Sequence, residues 1–195
     1  MRPYTSTSPG SLATPGATRL SLFDVGGIHE RSVSTVLAAI LAASTRPATE
    51  ILGHLSGAPL AVKVLASGER PMTDTEHYRL GVFDVASCRW RTSLLAAADG
   101  TVAAGVWLLW LPDRLPEAAR QALDDGTEPA GRILGPLGMR RTDRRALATA
   151  GIEEITGAPA AVRSSAILEI GGRPVAIAEE NITVDFCARL TRAAS

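Results

Sequence analysis

At 195 residues, 46% of them apolar, the chain has the length and composition of one domain with a sizeable core, or one domain with a tail. Its 20 basic and 20 acidic residues leave no formal net charge, which argues against nucleic acid or an anionic membrane surface as partner. No apolar run reaches the roughly 18 residues that a membrane helix needs. Lys63 is the sole lysine, and the arginine- and alanine-rich composition fits a GC-rich genome better than it fits any particular chemistry. Cys88 and Cys187 lie far apart and in no metal-ligand spacing, which speaks against a disulfide framework and for a reducing cytoplasm.

The first residues, "MRPYTSTSPGSLATPGATR", lack an apolar h-region and do not read as a signal peptide, so the "NIT" sequon at 181–183 carries no weight. Residues 1–18 are rich in Ser, Thr, Pro and Gly and are expected to be a disordered tail before a single domain over 19–195. "SVSTVLAAILAAS" places Val36, Leu37, Ile40 and Leu41 at helical spacing. "TRPATEILGHL" follows as a short helix, with Thr45 placed to cap it and Pro47 in its first turn. The period then changes. Leu60, Val62 and Val64 alternate with Ala61, Lys63 and Leu65 as a half-buried strand, and "YRLGVFDVA" is expected to be the next one.

"WRTSLLAAADGTVAAGVWLLWLP" sets two apolar runs around Asp99–Gly100, the turn chemistry of a β-hairpin. "LPEAARQALDDG" reads as a short helix that stops at Gly126, and "EPAGRILGPLGM" as turn, helical turn, turn. "DRRALATAG" is expected to be helical, and "AVRSSAILEIGGRPVAIAEENITV" a second hairpin around Gly171 and Gly172. Six strands, with helices early and in the middle, indicate an α+β fold: an antiparallel sheet with helices covering one face.

The chain has no phosphate-binding loop, no GxGxxG opening a helix and no GxSxG elbow. His29, His54 and His77 show no zinc-ligand spacing, and Trp90, Trp107 and Trp110 read as core or pocket-wall residues. What remains is a carboxylate in an apolar strand. If Val175 and Ile177 face a core, alternation turns Glu179 inward with them and leaves Glu180 as its solvated neighbour. A carboxylate on an apolar face is costly unless it is paired, protonated or directed into a pocket. Glu179 therefore either lies near a sheet edge or pairs with a structural arginine such as Arg163, or it points into a ligand cavity. In the second case Arg91 is the natural companion, since a planar guanidinium suits a carboxylate ligand. Alternation does not decide which way Arg91 points, because Trp90, Leu94 and Leu95 put apolar residues on both faces.

Four stretches in a common order, covering about residues 33–184, resemble the chorismate–pyruvate lyases and their divergent bacterial relatives. "LAASTRPATEILGHLSGAPLAVKVL" is similar to the family's opening helix and strand, and "WRTSLLAAADG" to the strand whose arginine grips a substrate carboxylate. "LPDRLPEAARQALDDGTEPAGRIL" resembles its Leu-Pro…Pro-Leu-Gly block, and "GGRPVAIAEEN" its closing hairpin, where a glutamate follows a proline by five positions, as Glu179 follows Pro174. The resemblance implies a six-stranded antiparallel sheet, helical flaps over a buried ligand pocket, and a cytoplasmic monomer or weak homodimer. It implies conversion of chorismate to 4-hydroxybenzoate, or a related aromatic acid, and pyruvate without metal or organic cofactor. Arg91 and Glu179 would be the catalytic pair, Arg91 on the ring carboxylate and a protonated Glu179 donating to the ether oxygen, with Ala130 and Gly131 on the pocket wall.

The pattern is broken at three places. Ala130 stands where the lyases have a pocket-lining leucine, Val106 where better-known members carry an arginine, and Ala166 and Ile167 where another arginine is common. Fewer cations favour a less anionic substrate, so one alternative is a repurposed enzyme of natural-product biosynthesis. The other is a non-catalytic small-molecule sensor like the UTRA domains of bacterial transcription regulators, which share this fold. The first 30 residues are too few and too polar for a winged-helix DNA reader, which places the sensor behind the enzymes.

Overall fold

The computed structural model describes the backbone of residues 22–83, 87–152 and 155–193, and the side chains of residues 33–83, 87–151 and 155–193. The expected tail at 1–18 lies outside the described residues. In chain order the elements are helix α1 (Leu22–Ala43), α2 (Ala48–Ser56), strand β1 (Ala61–Pro71), α3 (Asp74–Leu80), β2 (Ser87–Ala96) and β3 (Val102–Trp110). After a 3-10 turn come α4 (Glu117–Asp125), α5 (Ala130–Leu134), a second 3-10 turn, β4 (Arg140–Ile152), β5 (Pro159–Ile170), β6 (Arg173–Thr183) and α6 (Val184–Ala193). The strands form one sheet in the order β1-β2-β3-β6-β5-β4, and every pairing is antiparallel. The fold is α+β, as the pattern of elements indicates.

Both hairpins are built by their turn residues. Gly100 takes a φ of 84°, and the Thr101 amide donates to the Asp99 carboxylate, locking β2 onto β3. Gly171 and Gly172 both have positive φ, 58° and 76°, which two successive residues of a tight hairpin turn require. That turn sets the register that matters most here, Glu180 opposite Ser164 and Glu179 opposite Ser165.

Two expectations are corrected. Residues 78–80 of "YRLGVFDVA" are the end of α3, and 84–86 lie outside the described residues. The sequence signal was the capping box just upstream: Thr73 accepts from the Glu76 amide while Glu76 accepts from the Thr73 amide, and Gly81 closes the helix in the left-handed conformation. "DRRALATAG" is part of β4, not a helix. Its arginines and alanines favour a helix locally, but pairing with β5 and packing under α1 decide otherwise. The two errors offset each other, so the strand count of six is right for a partly wrong reason.

Among the described residues, five helices lie on one face of the sheet. α1, α2 and α6 cover one half through Leu37, Leu41, Leu52 and Phe186, while α4 and α5 cover the other through Ala119, Leu123 and Leu134. The expectation that helices cover one face needs one correction, because α3 packs on the opposite face. There Leu80 and Val82 meet Leu109, Ile167 and Ile177. Ile177 therefore faces a core, but on the side away from the five helices. That single fact redistributes the two glutamates that follow it.

Candidate functional site

Two neighbouring rungs of the sheet form the floor of a cavity beneath the five helices. One runs Ser93–Val106–Glu180–Ser164 across β2, β3, β6 and β5, and the next runs Arg91–Leu108–Ala178–Ala166. The alanines of the second rung leave space above them that larger side chains would fill. Pro47–Thr49 at the start of α2 and Pro129–Gly131 at the start of α5 make the roof, and Arg141 enters from β4. The free, water-accessible volume is about 40 Å³, room for a few water molecules at most.

The polar side chains at this floor are almost fully buried. Arg141, 1% exposed, donates to Glu180 at 3.2 Å, to Ser164 Oγ at 2.8 Å and to the Leu41 carbonyl at 3.2 Å. Glu180 is 5% exposed. Burial pushes its carboxyl above the ordinary range, and the Arg141 charge and a Ser164 hydrogen bond pull the other way. Arg91 is 3% exposed and donates from Nη1 to the Leu123 carbonyl at 2.9 Å and from Nη2 to the Glu128 carbonyl at 3.0 Å. Burial lowers its pKa, with Asp124 opposing. Two of the residues lining this cavity, Ser93 and Arg141, each have a buried polar atom, Oγ and Nε, without a hydrogen-bond partner.

The structure brings Arg91, Ala130 and Gly131 together at this cavity and leaves Glu179 out. Glu179 lies on the opposite face, its side chain 46% exposed, accepting from Arg79 Nη1 at 3.1 Å. Its partner is neither Arg91 nor Arg163. The expected order of the two carboxylates is thus reversed: Glu180 is the enclosed one and Glu179 the half-solvated one. The reason is that both faces of β6 are partly covered, Ile177 by α3 and Ala176 and Ala178 by the other helices, so an apolar run could not say which face held a pocket. Sequence reading missed Arg141, Ser93 and Glu180. The first lay in no expected element, between the glycine-rich stretch that ends at Met139 and the presumed helix that begins at Asp143. The second lay two positions after Arg91 in a strand, and so on Arg91's face, which was the signal available.

The open face carries a wider cleft of about 840 Å³, bounded by Arg79, Trp107, Glu179 and Arg163. A groove of about 940 Å³ runs outside the roof of the buried cavity and shares Pro47, Thr49, Pro129 and Gly131 with it. Among the described residues no group of three or more His, Cys, Asp or Glu is placed to hold a metal, and no helix is long and apolar enough to cross a membrane.

No protein-family model matches the chain, and no curated protein matches it by sequence. Solved structures do match. The effector domain of PhnF from Mycobacterium smegmatis superposes with a TM-score of 0.55 at 12% identity, over 71% of this chain and 88% of that one. The likeness is one of fold. PhnF itself aligns with a TM-score of 0.54 at 11% identity, over 72% of this chain and 65% of its own, so this chain spans about two thirds of that regulator's length. The ligand-binding domain assigned to a GntR-family transcriptional regulator from Bordetella bronchiseptica gives a TM-score of 0.50 at 15% identity, over 65% of this chain and 86% of that one.

These neighbours overturn the expectation of a chorismate–pyruvate lyase, and with it the expected chorismate, pyruvate and 4-hydroxybenzoate chemistry. These three structures are of transcriptional regulators or their ligand-binding domains, and the likeness to them, one of fold, is in line with the UTRA-like architecture. The geometry is consistent with that correction. The carboxyl expected to protonate a leaving group, Glu179, is on the far side of the sheet from Arg91.

Proposed function

We propose that this chain is a non-catalytic small-molecule-binding domain whose ligand is a small organic monoanion, taken into the cavity between the sheet and the roof formed by α2 and α5. The observation that carries this reading is a pair of cavity-lining residues, Ser93 and Arg141, each of which keeps a buried polar atom, Oγ and Nε, without a hydrogen-bond partner. A buried donor left without a partner is expensive, and a carboxylate or ordered water supplies what both groups lack. The charges agree. Two cations, Arg91 and Arg141, line the cavity with one carboxylate, Glu180, which accepts from Arg141 and whose raised pKa weakens its claim on that arginine. The remaining wall is apolar, with Leu108, Met139 and Leu168, which suits a ligand with a hydrocarbon or aromatic body. Arg91, Ala130 and Gly131 belong to this proposed site, and Glu179 does not. By analogy with regulators of this fold, occupancy would be reported to a DNA-reading segment or partner.

The test is a thermal-shift comparison of benzoate and hexanoate with benzamide and hexanamide. At a hundredfold excess over Kd, a bound acid is expected to raise Tm by about 5–10 °C, and the matching neutral amide to raise it much less. Equal shifts from acids and amides, or none from either, would remove the anion from the proposal.

A further inference from the structure

Arg91 lines the cavity, yet its guanidinium is engaged elsewhere. Its two bonds go to main-chain carbonyls, that of Leu123 in the last turn of α4 and that of Glu128 in the loop before α5. A helix C-terminus presents orphan carbonyls and the negative end of the dipole, so a buried guanidinium is well matched to it. Arg91 thereby ties the α4–α5 segment to the centre of the sheet.

The same segment closes the cavity. Pro47, Thr49, Pro129 and Gly131 face the cavity on one side and the outer groove on the other. They meet through a glycine: a Cβ on Gly131 would lie 2.4 Å from Thr49 Oγ1 and 2.5 Å from Pro47 Cβ. The threonine hydroxyl can rotate away, but the proline ring cannot. α5 is only 5 residues long and begins after Pro129, with no side-chain cap. The floor, in contrast, is four hydrogen-bonded strands. A cavity of about 40 Å³ holds no organic acid as it stands, so any added volume has to come from the roof.

We infer that Arg91 is a latch. An anion entering the cavity takes the Arg91 guanidinium from the carbonyls of Leu123 and Glu128, and the α4–α5 segment is released from the sheet as it does so. The bonds to the two carbonyls are already charge-assisted on the arginine side, but a carboxylate adds a full negative charge and a bidentate match to the guanidinium that two separate main-chain carbonyls do not offer, so the exchange favours the ligand. Binding and roof opening are then one event. The outer groove, which shares the roof residues, changes shape with occupancy. The inference rests on the proposed ligand reading of this cavity and adds how binding reaches the surface.

Hydrogen–deuterium exchange on the full chain tests it, with benzoate as the probe and calorimetry as an independent measure of binding. Saturating benzoate is expected to speed exchange in residues 117–137 by roughly a hundredfold, about tenfold for each of the two hydrogen bonds lost, while β2, β3 and β6 stay protected. Arg91→Lys, which cannot hold both carbonyls, should exchange quickly in this segment without benzoate and gain nothing further with it. Calorimetric binding with unchanged or slower exchange in 117–137 would overturn the latch. Absence of calorimetric binding would count against the ligand reading instead, and the roof is then judged without benzoate. Gly131→Ala should speed exchange in 117–137 alone, and unchanged exchange there would overturn the inference.

Discussion

Glu179 and Glu180 are one peptide bond apart and live in different worlds. Glu180 is enclosed between sheet and helices, tied to an arginine as buried as itself, its carboxyl pushed upward by burial. Glu179 lies on the open face, half-solvated, paired with Arg79 from α3. Strand alternation produces the separation, and the uneven distribution of helices, five on one face and one on the other, turns it into a difference in energy. On the open face a charge keeps most of its hydration and its partner contributes little. On the covered face each charge depends on its partner, because neither can return to water. The covered face is therefore where a missing partner matters and where a ligand would be held.

The largest effect should follow from breaking the buried pair. Arg141→Ala leaves Glu180 enclosed without its cation and also strips a donor from Ser164 and the Leu41 carbonyl. Loss of one partner of a buried pair costs about 3–5 kcal/mol, which denaturant titration should show directly. Next comes Glu76, beside Arg70 and the Thr73 amide. The Arg70 hydrogen bond holds its carboxyl down at about 2, from an ordinary 4.5. A depressed carboxyl stabilises the fold above its ordinary range, and that contribution is lost as pH falls from 4.5 toward about 2. Glu76→Gln should lose on the order of 2 kcal/mol at neutral pH and show a flatter acid limb.

Glu180 should give the opposite slope. Its folded pKa is raised, so the folded protein binds the proton more tightly, and stability falls as pH rises from the ordinary glutamate range through the raised value. Glu180→Gln should remove that fall, which a series of melts across pH 4–8 would reveal. The smallest effect belongs to the open face. Glu179→Ala breaks a half-exposed ion pair and should change stability by about 0–1 kcal/mol. A loss from Glu179→Ala as large as that from Arg141→Ala would erase the contrast between the faces.

Both hairpins, the helix that stops at Gly126 and the α+β class could be read from turn residues and periodicity, because those signals are local. β4 could not. An edge strand under α1 is selected by pairing and packing, and its alanines and arginines say helix until the partner strand is known. α3 was legible through Thr73 and Glu76 but was outweighed by the apolar residues that follow. At the site, Arg91 was legible as a cation in an apolar strand, and the position of Gly131 followed from the resemblance. Glu180 and Ser93 were not separable from their neighbours without knowing which face carried the cavity. Spacing from Pro174 marked the glutamate on the open face because Ile177, which looked like the inward residue, is buried under α3 on that side.

The most direct test of the ligand site is a calorimetric titration of benzoate into the wild-type protein, Ser93→Ala and Glu179→Ala. Both substitutions are small enough to leave the fold intact. The expected result is saturable binding to the wild type, affinity weakened about tenfold by Ser93→Ala through loss of one hydrogen bond to a charged group, and affinity within about twofold of wild type for Glu179→Ala. Absence of binding to the wild type, or a loss that follows Glu179 and spares Ser93, would contradict an anion site on the covered face.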